Sequence, residues 1–207
     1  VSSRRLIVNA DDLGLSEAVN EGIFAAHEGG IVTSTSLMVL RPAAAEAVAR
    51  LSGYPDLGFG LHLEAGDFRS QLDRFRELLG RDPDHLDSHK HIHEAEPVSS
   101  SAEALAAELG IPLRNREVRY EGSFFARAGD GTPRPAAISP ARLISLIENL
   151  PEGWTEIGCH PAAGPVPTSS YDAERQVELR TLCDPRVKIL LNVSDVQLCS
   201  FAQVPSG

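Results

Sequence analysis

The chain has 207 residues and a formal net charge of −10 at pH 7. That length suffices for one sizeable hydrophobic core without disulfides, and 42% hydrophobic with 23% charged residues is ordinary for a globular protein. Lys and Arg are scattered and outnumbered, which argues against nucleic acid or an anionic membrane as the main partner and suits a neutral or cationic substrate.

Short apolar runs alternate with longer amphipathic stretches. Residues 6–8 read as a buried strand. Ser16 then reads as a helix N-cap, with Val19, Ile23 and Phe24 at helical spacing and Gly29–Gly30 as the stop. Residues 31–40, rich in β-branched side chains, read as a second strand, and Pro42 opens an Ala-rich helix to about residue 51. Residues 57–63 alternate as a third strand, and 72–79 form a short helix closed by Gly80. A fourth strand is predicted over 85–89, a helix over 101–109 ended by Gly110, and a fifth strand over 111–114. The stretch 121–135, rich in Gly, Arg and Pro, reads as an exposed loop. Ser139–Pro140 caps a helix to residue 150, followed by a sixth strand over 155–159 and a helix over 172–182. A seventh strand over 187–191 and a short helix over 195–201 complete the chain. About seven strands alternating with helices predict a parallel α/β fold, one domain over residues 1–207. Cys159, Cys183 and Cys199 form no CxxC pair and are odd in number, which points to a reducing cytoplasm rather than a disulfide framework. No apolar run has the length of a membrane span, and the one after Arg5 is too short for a signal peptide.

The chemically capable residues fall just after the apolar runs: Asp11 and Asp12 after the first, His62 at the end of the third, His89 at the end of the fourth, His160 after the sixth. In a parallel α/β barrel, C-terminal strand ends share one face, where active sites are built, so these residues are expected to converge. Asn9–Ala10–Asp11–Asp12–Leu13–Gly14 sets two carboxylates side by side, which raises one pKa unless a cation compensates. It reads either as a solvated helix-capping loop or as one metal ligand beside one general base. His62, in Gly60–Leu61–His62–Leu63, is either a satisfied core histidine or a ligand. Four of the seven histidines lie between His85 and His93. In an extended segment His89, His91 and His93 share a face, and imidazoles with a carboxylate suit zinc or a related ion. Asp87 is placed to orient an imidazole from behind. His160, locked by Pro161, is a candidate acid or substrate contact. Cys159 beside it reads as a small buried side chain, because adjacent strand residues face opposite ways. Arg114 reads as a substrate contact or as the charge that balances the carboxylates, and His27 as structural.

Taken in order, Val8–Asn9–Ala10–Asp11–Asp12–Leu13–Gly14–Leu15–Ser16, Gly29–Gly30–Ile31–Val32–Thr33–Ser34–Thr35, Gly60–Leu61–His62–Leu63, His85–Leu86–Asp87–Ser88–His89–Lys90–His91–Ile92–His93 and Cys159–His160–Pro161 resemble the YdjC/ChbG family of carbohydrate deacetylases. The resemblance implies a distorted, TIM-like (β/α) barrel related to polysaccharide deacetylases, and an N-acetylated mono- or oligosaccharide as substrate. It implies one divalent metal ion, zinc or magnesium, held by Asp12, His62 and His89, with Asp11 as base and His160 as acid or oxyanion partner. Asn9, Asp87, His91, His93 and Arg114 are then expected to contact substrate or support the ligands, and the class admits a homodimer. Between residues 63 and 85 the chain is shorter than typical members, and beyond about residue 165 the resemblance is weak. A different metal hydrolase on the same barrel, with a second ion on His91 or His93, and a non-catalytic sugar- or metal-binding homologue are the competing expectations. A two-carboxylate glycosidase fits poorly, because adjacent Asp11 and Asp12 cannot flank one bond.

Overall fold

In a computed structural model, residues 3–205 are described, so residues 1, 2, 206 and 207 of the expected domain lie outside the described residues. Among the described residues, seven strands form one parallel sheet: β1 (Arg4–Leu13), β2 (Ser34–Leu37), β3 (Gly58–Leu63), β4 (Leu86–Ser88), β5 (Arg119–Glu121), β6 (Gly153–Cys159) and β7 (Val196–Leu198). Their order is β4-β3-β2-β1-β6-β5, with β7 paired to the first residues of β1. Parallel bridges Leu86–Leu113 and Arg114–Val118 carry the chain from β4 across to the residue before β5, so the sheet curls into a distorted barrel. Among the described residues, seven α-helices surround it: α1 (Glu17–Glu28), α2 (Ala44–Arg50), α3 (Phe68–Leu79), α4 (Val98–Leu109), α5 (Pro140–Glu148), α6 (Ala173–Leu182) and α7 (Pro185–Val193). None is long and apolar enough to cross a membrane among the described residues.

Local chemistry explains the helix ends. Ser16 Oγ accepts from Val19 N, Asp67 caps α3, and Ser139 caps α5 ahead of Pro140. Gly80 and Gly110 end α3 and α4 in the left-handed region, at φ 68° and 65°, where a side chain is strained.

Strand alternation sorts the core into two compartments. Leu6, Val8 and Ala10 of β1, Phe59, Leu61 and Leu63 of β3, and Ile157 and Cys159 of β6 belong to the large apolar cluster shared with the helices. Ile7 instead joins Val118, Cys199 and Phe201 in a separate small cluster inside the barrel. The C-terminal segment closes that end: Phe201 N donates to Ser34 Oγ at 3.0 Å, and the Phe201 ring stacks 3.9 Å from His85. Gly60 makes the stack possible, since a Cβ there would lie 2.3 Å from the His85 ring.

Four expectations need correction. Residues 187–191 are not a strand but the middle of α7, whose start is set by Asp184, accepting from Arg186 N, and by Pro185 in the first turn. Residues 195–201 hold β7 rather than a helix, with only a three-residue 3-10 turn, Phe201–Gln203, after it. Residues 111–114 make isolated bridges rather than a strand, and the strand that pairs with β6 is Arg119–Glu121. The loop expected over 121–135 is not wholly exposed: Phe124 and Ala126 are buried.

Candidate active site

The site is built at the C-terminal ends of the strands. Pairing between β1 and β2 shifts register between Ala10 and Leu13, and Asp12 adopts a left-handed φ of 69°. Such an irregularity re-aims side chains. Asp11 and Asp12, which strict alternation would send to opposite faces, both reach the barrel mouth and contact different partners. A non-glycine residue held at positive φ stores about 1–3 kcal/mol and is found where the surroundings over-determine it.

Asp12 meets the two imidazoles the sequence singles out. Its Oδ1 lies 3.4 Å from His62 Nε2 and 3.1 Å from His89 Nδ1. Donor atoms around a tetrahedral zinc with bonds of about 2.0–2.1 Å stand about 3.3 Å apart, so this set fits one divalent ion with little movement. Behind it, His62 Nδ1 is 2.8 Å from Asp87 Oδ1, and Ser36 Oγ donates to Asp87 Oδ2 at 2.8 Å. The register pairs His62 with Asp87 directly across β3 and β4. A carboxylate on the far ring nitrogen orients a ligating histidine. Burial pushes the Asp12 carboxyl up, but hydrogen bonds from His62 and His89 and the charge of Arg175 outweigh it and hold it well below the usual range. Burial likewise opposes protonation of His62, yet the Asp87 charge and the Asp12 hydrogen bond raise it well above an ordinary histidine.

Arg114 is 0% exposed and organises the carboxylates. Its Nη1 and Nη2 donate to Asp11 Oδ2 and Oδ1 at 2.7 and 2.6 Å, a two-pronged bond. Nη2 also lies 2.9 Å from Asp87 Oδ2, and Nε donates to Glu156 Oε1 at 2.9 Å. Asn9 Nδ2 adds a bond to Asp11 Oδ1 at 2.9 Å. Burial raises Asp11, and the Arg114 charge and bonds more than reverse this, which favours its ionised carboxylate. Glu156, also buried but sharing Arg114 with two other carboxylates, is pushed up to about 7. The sheath of carboxylates accounts for Arg114 as the balancing charge, and its burial leaves no surface for substrate.

The pairing of β6 with β1 ends at Ala10–Cys159, so His160 follows beside Asp11, with Nε2 3.8 Å from Asp11 Oδ2. Its backbone N–H donates to Glu178 Oε2 at 2.5 Å, and its ring packs against the stacked pair Phe125 and Tyr171, 5.4 and 5.6 Å away. Burial lowers His160 to about 4, so it is neutral at pH 7. Burial raises Glu178 to about 8 against its bonds from Tyr171 and His160.

The histidine cluster divides. His89 joins the triad at the rim, its side chain 35% exposed. The extended face expected for His89, His91 and His93 does not form, because Lys90 and His91 turn left-handed at φ 56° and 53° within a 3-10 segment, His89–Glu94. His91 instead packs on Tyr120 at 5.0 Å, and His93 is buried with Nδ1 2.5 Å from Ser88 Oγ. Cys159 is buried with its thiol on Asn9 O, and burial raises its pKa well above normal, so it is no nucleophile. His27 bonds Val32 O at 2.8 Å, a structural role.

Sequence reading missed Arg175, Glu178, Glu156, Ser36 and Phe125. Arg175 Nη2 donates to Asp12 Oδ2 at 2.6 Å, and Glu178, one turn on, reaches His160. The available signal is in α6 itself: charged residues fall on the face a helix normally fills with apolar ones, and Arg175 and Glu178 are buried there.

The curled parallel barrel, with two histidines and an aspartate placed at its mouth to hold a metal ion, has the fold of solved carbohydrate deacetylases and esterases. A family 4 carbohydrate esterase of Streptomyces lividans, solved with acetate, shares the fold at TM-score 0.56 and 14% identity, covering 97% of this chain and 93% of its own. A candidate cellobiose-phosphate cleavage protein of Enterococcus faecalis V583 matches at TM-score 0.81 and 25% identity over 96% and 97%. The YdjC-like protein family pattern matches residues 5–67 and 65–193, and the chain belongs to that family. A carbohydrate deacetylase of Geobacillus stearothermophilus is 33% identical over 97% of this chain and 98% of its own length, and a chitooligosaccharide deacetylase of Serratia marcescens is 31% identical over 95% and 97%. The family match breaks at residues 65–67, within the region expected to be shortened, and it continues past residue 165 to 193.

Proposed function

We propose that this chain is a metal-dependent hydrolase that removes the acetyl group from an N-acetylated sugar or short oligosaccharide. The observation that carries the reading is the Asp12–His62–His89 triad set beside an ionised Asp11. Residues 1–207 act as one catalytic domain with one ion, and the two imidazoles favour zinc over magnesium. The three free cysteines suit the cytoplasm.

A bound divalent ion polarises the amide carbonyl and makes water a stronger nucleophile at neutral pH. Asp11, fixed by the two-pronged Arg114 bond, takes the proton from the attacking water. His160 stands 3.8 Å from Asp11 and is neutral at pH 7, so its one ring N–H donates to the developing oxyanion, and the proton taken up by Asp11 passes to the departing sugar amine. Amide and water thus become amine and acetate, with the proton count closed on Asp11. Asp87 and Ser36 keep the His62 ring fixed, while Phe125 and Tyr171 wall the His160 side against water.

The test is acetate release from N-acetylglucosamine and short chitooligosaccharides, with and without chelator, restoring zinc or magnesium separately. Chelator-sensitive release restored by an ion supports the reading. No release from folded, metal-loaded protein refutes it.

A further inference from the structure

Arg175 has no place in the chemistry above, yet it touches its centre. The residue lies on α6, far from Asp12 in sequence, and is 3% exposed. Its guanidinium is held at two points: Nε donates to Tyr171 O at 2.9 Å, and Nη2 to Asp12 Oδ2 at 2.6 Å. Asp12 is thereby divided. Oδ1 faces His62 and His89, and Oδ2 is occupied by a cation. The left-handed backbone of Asp12 fixes this orientation from the other side.

We propose that Arg175 is a positioning residue that restricts Asp12 to one-oxygen coordination of the metal, keeping the remaining coordination positions for water and the substrate carbonyl. A carboxylate binds a cation through one or both oxygens, and the two modes differ in how many open positions the ion retains. A guanidinium on Oδ2 excludes the two-oxygen mode and also places a positive charge near the ion, so it opposes tight metal binding while favouring turnover. An ordinary anchoring salt bridge between α6 and the barrel would have no such opposed effects. The inference rests on the triad as the metal site. It extends that reading to a residue that no part of the catalytic sequence requires.

The experiment uses full-length Arg175→Met and Arg175→Lys proteins beside the wild type, each stripped of metal and titrated with zinc by calorimetry. The cobalt-substituted forms are compared by visible absorption, which reports coordination number without substrate. Arg175→Met is expected to bind zinc at least as tightly as the wild type. Its cobalt spectrum is expected to shift toward higher coordination, and its kcat at saturating zinc to fall roughly 10–100-fold, the range typical for residues supporting metal ligands. Arg175→Lys, which keeps a charge but not the fork, is expected to fall between them and serves if the methionine variant does not fold. An unchanged cobalt spectrum, or weakened zinc binding with kcat recovered at saturating zinc, overturns the proposal. Asp12→Asn is the control: if it binds zinc as the wild type does, the triad reading fails and the proposal with it.

Discussion

His85 sits at the closed end of the barrel, fully buried between Gly60 and the Phe201 ring, with neither ring nitrogen hydrogen-bonded among the described residues. Burial lowers its pKa from 6.5 to about 4, with the Asp87 charge opposing only in part. The unfolded chain therefore takes up a proton at a pH where the folded one does not. Stability is full above the unfolded pKa, falls as pH drops through the window between the two values, and levels off below the folded one. At about 1.4 kcal/mol per pKa unit, the loss is about 2 kcal/mol at pH 5 and about 3 kcal/mol near pH 4. His85→Phe retains a flat ring for Phe201 and removes the titration, along with two buried unpaired nitrogens. Urea unfolding of both proteins at pH 7.5 and pH 5, under identical metal conditions, isolates the residue, since the other titrating groups cancel in the difference. The variant should lose about 2 kcal/mol less than the wild type, or about 4–8 °C in Tm for a chain of this size. Parallel losses would show that His85 is not held neutral in the folded state.

Asp11→Asn should lower kcat roughly 10²–10⁴-fold while the protein still binds one zinc, measured by acetate release and elemental analysis. Arg114→Met leaves Asp11, Asp87 and Glu156 buried without their cation, so it should destabilise by about 3–5 kcal/mol in urea titration. Gly22→Ala brings a Cβ to 2.3 Å from the Ala162 backbone, which cannot rotate away. A loss of about 1–3 kcal/mol is expected, with reduced activity as the neighbouring His160 segment moves; calorimetric Tm and kcat report the two.

Much of the fold was legible because it is written locally. Ser16, Gly80, Gly110 and Ser139–Pro140 mark helix ends by side-chain bonds and backbone freedom that act within a turn. Residues 187–191 misled because an apolar β-branched run fits a buried strand as well as a helix, although Asp184–Pro185 carried the helix signal. The convergence of Asp12, His62 and His89 was legible because strand ends in a parallel barrel converge whatever their sequence separation, while their choice as a ligand set came from the resemblance of the motifs to the YdjC/ChbG family. Glu156 was not, because a charged residue on a strand declares its burial only when its distant partner is known, and Arg175 and Glu178 showed only as charges on the inward face of α6, with their partners hidden. The left-handed turn at Lys90 and His91 was likewise hidden, since nothing in a run of histidines signals a reversal of φ.

The central position of β1 divides the site in time as well as in space. Asn9 is paired on both sides, to Ser34 of β2 and Gly158 of β6, and Asp11 and Asp12 follow directly where the β6 pairing has ended and the β2 register shifts. Amides in the doubly paired part of such a strand are expected to exchange with solvent only in large openings of the domain. Phe125, which packs beside His160, belongs to a stretch with little regular structure, the kind that opens by smaller local excursions. Hydrogen exchange is therefore expected to be slow along β1 and faster around Phe125, an order that lets the wall beside His160 rearrange without Asp12, His62 and His89 coming apart.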